Sequence, residues 1–163
     1  MYSDNEKERA FLALLDRYTP IVAKVCYFYA TGSDDFNDLR QEVLINLWQG
    51  FGQFRGEADI ATWIYRVSLN SCVSYFRKNK KNYVVQPIDF VPDVIADDVD
   101  RRKLLAEMYS LINCLEKEEK ALILMWLDNY SYEVIAEVVG VPRNTVASRL
   151  HRIKEKIVKI SNL

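Results

Sequence analysis

The segment from Ser131 to Ile157 constrains the fold most strongly, because its pattern predicts a helix-turn-helix. Its first helix is short and has an apolar face, and Gly140 follows it where the sharp turn requires a positive φ. Pro142 stands at the entrance of the second helix, where its missing N–H costs nothing. The second helix then has apolar residues at helical spacing, which predict a buried stripe. These residues are Val146, Leu150, Ile153, Ile157 and Ile160.

The opposite face of this second helix is basic and polar. It carries Arg143, Thr145, Ser148, Arg149, Arg152 and Lys156. In a helix-turn-helix, such a face on the second helix favours DNA binding in a major groove. The alternative is a surface helical hairpin whose basic face is only solvated.

The composition predicts a folded and mostly helical protein. Half of the 163 residues are hydrophobic and 28% are charged, and only five Gly and four Pro interrupt the periodic runs. No apolar run approaches the length of about 20 residues that crosses a bilayer. The N-terminal sequence MYSDNEKERA is too charged for a signal peptide. We therefore expect an all-α protein in the cytoplasm, without membrane insertion.

The cysteines do not indicate a metal site. Cys26, Cys72 and Cys114 lie far apart and have no CxxC spacing, and His151 is the single histidine. Such a set does not build a convincing zinc site. We expect all three cysteines to be buried small apolar residues in a reducing compartment, and we expect no metal and no cofactor.

The net charge of −1 hides a strong segregation of charge along the chain. Residues 55–81 carry +4 and residues 142–163 carry +5, whereas residues 82–100 carry −5. Two basic islands are thus separated by an acidic strip, which suggests two separate contacts with nucleic acid.

Periodicity predicts three long helices before the acidic strip, over about residues 6–29, 34–49 and 60–80. We expect Pro20 to kink or break the first, and Asp34 or Asp35 to cap the second. Two further helices are predicted after the strip, before the helix-turn-helix. They cover residues 103–114 and 116–128.

The helical pattern fails between the two halves, where Pro87, Pro92 and five aspartates leave little to bury. We interpret residues 83–102 as a flexible acidic linker between two small helical domains, residues 1–82 and 103–163. The alternative is that this acidic, partly apolar segment lies against a basic groove.

The first basic island mixes cations with aromatic residues. The aromatic residues in and just before it are Phe51, Phe54, Trp63, Tyr65, Tyr75 and Phe76, and its cations are Arg55, Arg66, Arg77, Lys78, Lys80 and Lys81. Cations neutralise phosphates, and exposed aromatic faces stack on unpaired bases. The mixture suits single-stranded or distorted DNA, although we expect Trp63 and about half of the other aromatic residues in the core.

Residues 37–50 form an amphipathic helix with an acidic outer face. One side holds Leu39, Val43 and Leu47, and Asp38, Gln41, Glu42 and Asn46 lie away from it. A solvated polar face is the default interpretation. Beside a basic DNA-binding island, an exposed acidic helix would instead suit a protein partner.

Several motifs resemble those of bacterial sigma factors. The first half contains DLRQEVLINLW from Asp38, FRG from Phe54 and ATWIYRVSLN from Ala61, which resemble the region 2 signature. The second half contains TVASRLHR from Thr145, which resembles region 4. With only these two regions and a short linker, the chain resembles the extracytoplasmic-function (ECF) group over residues 11–159.

The resemblance implies a promoter-specific transcription initiation factor that binds core RNA polymerase, recognises the −35 and −10 promoter elements and assists strand opening. Three sets of residues match the family's functional positions. The positions that match the polymerase-binding helix are Asp38, Gln41, Glu42 and Trp48. Those that match the −10 contacts are Phe54, Arg55, Gly56, Asn70, Arg77, Lys78, Lys80 and Lys81. Those that match the −35 contacts are Arg143, Asn144, Thr145, Ser148, Arg149 and Arg152.

The resemblance further implies that an anti-sigma factor covers the polymerase-binding surfaces, and it implies no small-molecule substrate. The chain departs from the family where Ser74 replaces a frequent acidic residue, Asn144 a frequent Gly and Ala147 a frequent basic residue. Ala147 removes a DNA contact, so promoter bases cannot be transferred from better-known members.

Two other classes remain open. A stand-alone helix-turn-helix regulator of duplex DNA would explain residues 131–157 but not the basic and aromatic island. A DNA-modifying enzyme, such as a small recombinase, would need a reactive set, yet no Ser/His/Asp arrangement or acidic metal cluster stands out. We therefore expect no catalytic residue and no enzymatic activity.

Overall fold

The computed structural model describes residues 3–78, 91–92 and 94–162. These residues form α-helices and no strand, which confirms the predicted all-α class. The helices are α1 (Asp4–Tyr29), α2 (Ser33–Phe51), α3 (Ile60–Lys78), α4 (Val99–Ile112), α5 (Lys117–Leu127), α6 (Tyr132–Val139) and α7 (Arg143–Ser161). Within the described ranges, none of these helices has both the length and the apolar character that a membrane crossing requires.

Helices α1, α2 and α3 pack together as an N-terminal bundle. Their facing sides bury apolar residues such as Val25, Leu39 and Ile64, each at most 1% exposed. Helix α1 begins with a capping box between Ser3 and Glu6. It continues through Pro20 to Tyr29, so the helix does not break at that proline.

The start of α2 also differs from the sequence prediction. Gly32 occupies the N-cap and no side chain caps the helix, whereas Asp34 and Asp35 lie within the first turn. Their charges still favour this helix, because carboxylates near a helix N-terminus interact well with its positive end. The two aspartates therefore stabilise α2 through charge, and the predicted cap is wrong.

The helix-turn-helix forms as predicted from α6 and α7. Gly140 adopts φ 75°, and its N–H donates to the carbonyl of Ala136 at 2.9 Å. Pro142 is the N-cap of α7, one position before the helix begins. Val146, Leu150 and Ile153 are buried, and Ile157 and Ile160 complete the stripe as half-buried residues.

The C-terminal bundle, α4 to α7, packs directly on the N-terminal bundle. Helix α5 contacts α1 and α3, helix α6 contacts α3, and the buried apolar residues of both bundles form one continuous core. At this boundary the rings of Tyr65 and Tyr130 are 5.4 Å apart. The two predicted halves of the chain are therefore in direct contact.

The end of the acidic strip is part of the packed structure. Val91 and Ala96 are at most 5% exposed, and the guanidinium of Arg102 donates to the carbonyl of Ala96 at 3.0 Å. Helix α4 begins at Val99, inside the predicted linker. The cysteines also differ from expectation in one case, because Cys26 and Cys72 are buried whereas Cys114 is exposed.

Candidate functional site

The outer face of α2 carries the acidic residues predicted for a protein partner. Asp38 and Gln41 are exposed and Glu42 is half-buried, whereas Leu39 and Val43 on the opposite face are fully buried. The amphipathic pattern of the sequence therefore assigned these side chains to the correct faces. The exposed face also includes Ile45 and Trp48, so it joins carboxylates to apolar surface.

Trp48 has a fixed orientation on this face. Its ring meets Phe11 edge to face at a centroid distance of 5.1 Å, and the ammonium of Lys7 lies 4.5 Å from the ring centroid. The residue nevertheless remains 38% exposed. Such a ring is preorganised for a partner, since little side-chain freedom is lost on binding.

The loop between α2 and α3 presents one aromatic residue, one cation and one glycine. Phe54 is half-buried, with its ring 5.0 Å from that of Trp63, and Arg55 is exposed. Gly56 has φ 74°, and a Cβ there would meet nothing within 4 Å. The loop therefore depends on glycine for its backbone conformation and not for space.

Helix α3 carries further candidate DNA contacts towards its C-terminal end. Asn70, Arg77 and Lys78 are exposed. Lys80 and Lys81, which belong to the same predicted set, lie outside the described residues.

A hydrogen bond that the sequence analysis missed connects α2 to α3. The amide of Asn46 donates to the hydroxyl of Ser71 at 2.8 Å, and this hydroxyl donates to the carbonyl of Val67 at 2.6 Å. Ser71 is only 3% exposed and directly follows Asn70 in the sequence. Asn46 was assigned to the polar side of its helix, and nothing in the local sequence identifies its partner.

The basic face of α7 is exposed, as predicted. Arg143, Asn144, Ser148, Arg149 and Arg152 are exposed, and Thr145 is half-buried. These side chains project from a regular helix at spacings of three and four residues, so they share one side of it.

Arg143 is held in place by α6. Its Nε donates to Oε1 of Glu133 at 2.7 Å, and its guanidinium lies 5.5 Å from the ring centroid of Tyr132. This hydrogen bond lowers the pKa of the Glu133 carboxyl. The side chain that begins α7 is therefore oriented before any DNA arrives.

Carboxylates also border the middle of α7. Glu116, Glu118 and Glu119, at the start of α5, line a surface depression together with Arg149 and Arg152. Glu119 accepts a hydrogen bond from the ammonium of Lys156 at 3.1 Å. The basic face is therefore partly balanced by neighbouring acids.

The two candidate DNA surfaces meet at one cleft. Asn70 and Arg77 of α3 line one cleft together with Arg149 of α7, and this cleft has a volume of 160 Å³. The arrangement offers cations, amides and aromatic rings for binding phosphates and bases. Within the described residues, no group of three or more His, Cys, Asp or Glu side chains could hold a metal ion.

Both halves of the chain match known protein families. The family described as Sigma-70 region 2 matches residues 14–82, and the family described as Sigma-70, region 4 matches residues 105–157. The ECF RNA polymerase sigma-E factor of Escherichia coli (strain K12) is 30% identical, with 92% of this chain and 85% of that protein aligned. The ECF RNA polymerase sigma factor SigW of Bacillus subtilis (strain 168) is 23% identical, over 92% of this chain and 88% of that protein.

Two solved structures share the fold. The sigma factor RpoE in complex with the anti-sigma factor NepR, from Bartonella quintana, gives a TM-score of 0.76 at 18% identity and covers 95% of this chain and 98% of that one. CnrH in complex with the cytosolic domain of CnrY gives a TM-score of 0.66 at 20% identity and covers 95% and 89%. From the two family matches and the relatives at 30% identity, this chain belongs to the ECF group of bacterial RNA polymerase sigma factors.

Proposed function

We propose that this transcription initiation factor divides its task among three surfaces: α2 binds core RNA polymerase, the loop after α2 and α3 bind the −10 element, and α7 binds the −35 element. The first two surfaces belong to residues 1–82 and the third to residues 103–163. The observation that carries the proposal is the exposure of all three surfaces on separate helices of a chain with both sigma regions.

The outer face of α2 supports the polymerase contact. Asp38, Gln41 and Glu42 offer hydrogen-bond acceptors and negative charge for a basic partner, and Trp48 offers a rigid aromatic anchor. Aromatic anchors surrounded by polar residues are typical of binding hot spots in protein interfaces.

The loop from residue 54 to residue 60 supports capture of an extruded −10 base. Phe54 and Trp63 form an aromatic wall, Asn70 offers amide hydrogen bonds for a base edge, and Arg77 and Lys78 offer charge for the backbone. Unpairing a base costs a few kcal/mol, and its capture stabilises the open strands. The proposed −10 set also includes Lys80 and Lys81, which lie outside the described residues.

The basic face of α7 supports readout of the −35 element in the major groove. Arginine reads guanine bidentately through O6 and N7, and contacts with phosphates fix the register. Arg149 and Arg152 are exposed on this face, whereas Arg143 is oriented by Glu133. Because residue 147 is alanine, the preferred bases differ from those of relatives with a cation there.

The three surfaces act together because they belong to one chain. Once polymerase and one promoter box are bound, the second box is engaged intramolecularly. The chain makes and breaks no covalent bond, and catalysis belongs to the polymerase. We place this function in the cytoplasm, and we expect an anti-sigma partner, in line with the structural relative RpoE, which was solved with the anti-sigma factor NepR.

Run-off transcription with core polymerase on a randomised promoter library tests the proposal. We expect initiation only when the chain is added, with selection of bases in two separated boxes. A stand-alone regulator would instead protect a symmetric site on duplex DNA without polymerase. Tight, sequence-specific binding that polymerase does not strengthen would contradict the proposed function.

A further inference from the structure

The end of α1 is capped by side chains of the C-terminal bundle. The last carbonyls of a helix lack partners within the helix, and here two of them are bonded across the boundary. The ammonium of Lys120 donates to the carbonyl of Phe28 at 3.2 Å. The hydroxyl of Tyr109 donates to the carbonyl of Ala30 at 2.6 Å. In the opposite direction, the hydroxyl of Tyr29 donates to the carbonyl of Lys117 at 2.7 Å. We refer to these contacts as the seam.

Closure of the seam leaves no room for promoter DNA between the bundles. Asn70 and Arg77 stand opposite Arg149 in a cleft of only 160 Å³. A space of this volume holds only about five water molecules, at roughly 30 Å³ each, and therefore no DNA duplex. The bundles must therefore separate before Asn70 and Arg77 can bind one element while Arg149 reads the other.

The two tyrosine hydrogen bonds stabilise the closed seam. Tyr109 is 4% exposed and Tyr29 is 1% exposed, and each hydroxyl donates to a backbone carbonyl of the other bundle. Buried hydrogen bonds of this kind favour association, since neither partner is left unsatisfied.

Lys120 differs from the tyrosines because it brings a charge into the same contact. The residue is 7% exposed, and its ammonium has two acceptors, the carbonyl of Phe28 and Oδ1 of Asn113 at 2.9 Å. Within the described part of the chain, it forms no ion pair with a carboxylate. Burial lowers the pKa of Lys120 to about 8, and nearby Lys117 adds charge of the same sign. The ammonium also lies 5.4 Å from the ring centroid of Tyr29, and Glu116 and Glu118 line the same cavity without pairing with it.

A buried ammonium without a counter-ion is costly, and its hydration is restored when the bundles separate. We propose that Lys120 is a release element, whose buried charge keeps the closed arrangement weak enough to open for polymerase and promoter. The consequence for transcription rests on the proposed function, whereas the effect on closure does not.

Two substitutions distinguish a release element from a simple latch. Lys120→Met removes both the charge and the hydrogen bonds, and Lys120→Gln removes the charge but keeps a donor for the carbonyl of Phe28. If the hydrogen bonds of Lys120 instead hold the seam closed, Lys120→Met should open the seam and Lys120→Gln should have little effect. A release element predicts that both variants close it, each by roughly tenfold in the opening equilibrium.

Single-molecule energy transfer measures this opening without polymerase. Dyes are attached through Asp16→Cys and Lys159→Cys in a Cys114→Ser chain, since all three positions are exposed. Lys103→Met is the matched control, because it makes the same chemical change at an exposed position of α4 and should leave the distance distribution unchanged. Thermal unfolding verifies that each variant is folded.

The second readout is the apparent affinity for core polymerase. A closed form that must open first weakens apparent affinity in proportion to the open fraction, so both variants of Lys120 should bind about tenfold more weakly. Tyr109→Phe removes a hydrogen bond of the closed seam, so it should increase the open fraction and strengthen the apparent affinity for core polymerase. An open fraction in the Lys120 variants that equals or exceeds that of the natural chain overturns the inference. If the natural chain fails to bind polymerase at all, the proposed function fails, while the distance measurement still decides the role of Lys120.

Discussion

On α7 the candidate DNA-binding side chains project from a regular helix, whereas between α2 and α3 they project from a loop and from the helix that follows it. Arg143 on α7 is fixed by a carboxylate of the neighbouring helix. Phe54 in the loop is fixed instead by an aromatic ring, and the loop turns at Gly56 with φ 74°. This difference fits the two proposed targets. A straight helix can enter the groove of a duplex, whereas an extruded base is held by an irregular pocket.

Charge reversal on α2 has the largest expected effect, because it separates both DNA surfaces from the polymerase. Asp38→Arg combined with Glu42→Arg places cations where we propose a basic partner, and like charges across an interface cost several kcal/mol. We expect polymerase affinity to fall by about 100-fold or more, measured by fluorescence anisotropy. Binding of a −35 duplex should stay unchanged, and unchanged polymerase binding would exclude the proposed docking face.

Removal of arginines from α7 should affect one DNA surface only. Arg149→Ala and Arg152→Ala should each weaken −35 binding by about 1–3 kcal/mol, if each arginine reads a guanine. Binding of single-stranded −10 DNA by the holoenzyme should not change. Lys159→Ala, on the same helix beyond the proposed contacts, is the control. Equal losses at both promoter elements would mean that the surfaces are not independent.

The two glycines with positive φ allow a symmetric test. Gly56→Ala and Gly140→Ala place a Cβ in open space, so each should cost only the backbone penalty of about 1–2 kcal/mol. We expect Gly56→Ala to weaken −10 capture, and Gly140→Ala to lower the free energy of unfolding and −35 binding. Gly32→Ala is the control, since its backbone is extended and its surroundings are open. A loss of −10 capture in Gly140→Ala would contradict the assignment.

Raising the pH from 7 to 9 should stabilise the closed arrangement of the bundles relative to the open one by about 1 kcal/mol. The two candidate DNA surfaces would then lie together in a larger fraction of the molecules. Burial lowers the pKa of Lys120 from 10.5 to about 8, so the closed form binds fewer protons than the open form in this range, and closure strengthens as pH rises. Burial raises the pKa of Tyr29 and of Cys72 well above their usual values, so both stay protonated. The titratable groups around the ammonium are Tyr29 of α1, Cys72 of α3 and Cys114 after α4, together with Glu116, Lys117 and Glu118 at the start of α5.

Interdomain energy transfer as a function of pH measures this effect. Lys120→Met should abolish the pH dependence, and the matched control Lys103→Met should retain it. A closed fraction that falls as pH rises, or a pH dependence that persists in Lys120→Met, would assign the titration to another group.

The sequence predicted the features that depend on local periodicity. The turn at Gly140, the buried stripe beginning at Val146 and the outward face around Asp38 follow from spacing alone, and the structure confirms them. The polymerase and promoter roles of these surfaces remain predictions. The exposure of Cys114 was missed because its residue type favours burial, whereas its position lies in a turn between two helices.

The seam could not be predicted in the same way, because its contacts join distant parts of the chain. Lys120 bonds to Phe28, which lies 92 positions away. One local signal was available, since Lys120 lies four residues before the fully buried Leu124 and therefore on the same side of α5. A lysine on the apolar side of a helix is a reason to expect a buried charge, although its partner becomes visible only in the fold.

The hydrogen bond between Asn46 and Ser71 has a mechanical consequence. It fixes the rotation of α3 about its own axis relative to α2, and the packed core between these helices resists sliding. The two helices therefore move as one unit that carries both the proposed docking face and Asn70. A partner that holds the outer face of α2 also orients Asn70, so under the proposed function polymerase docking and base capture are aligned together.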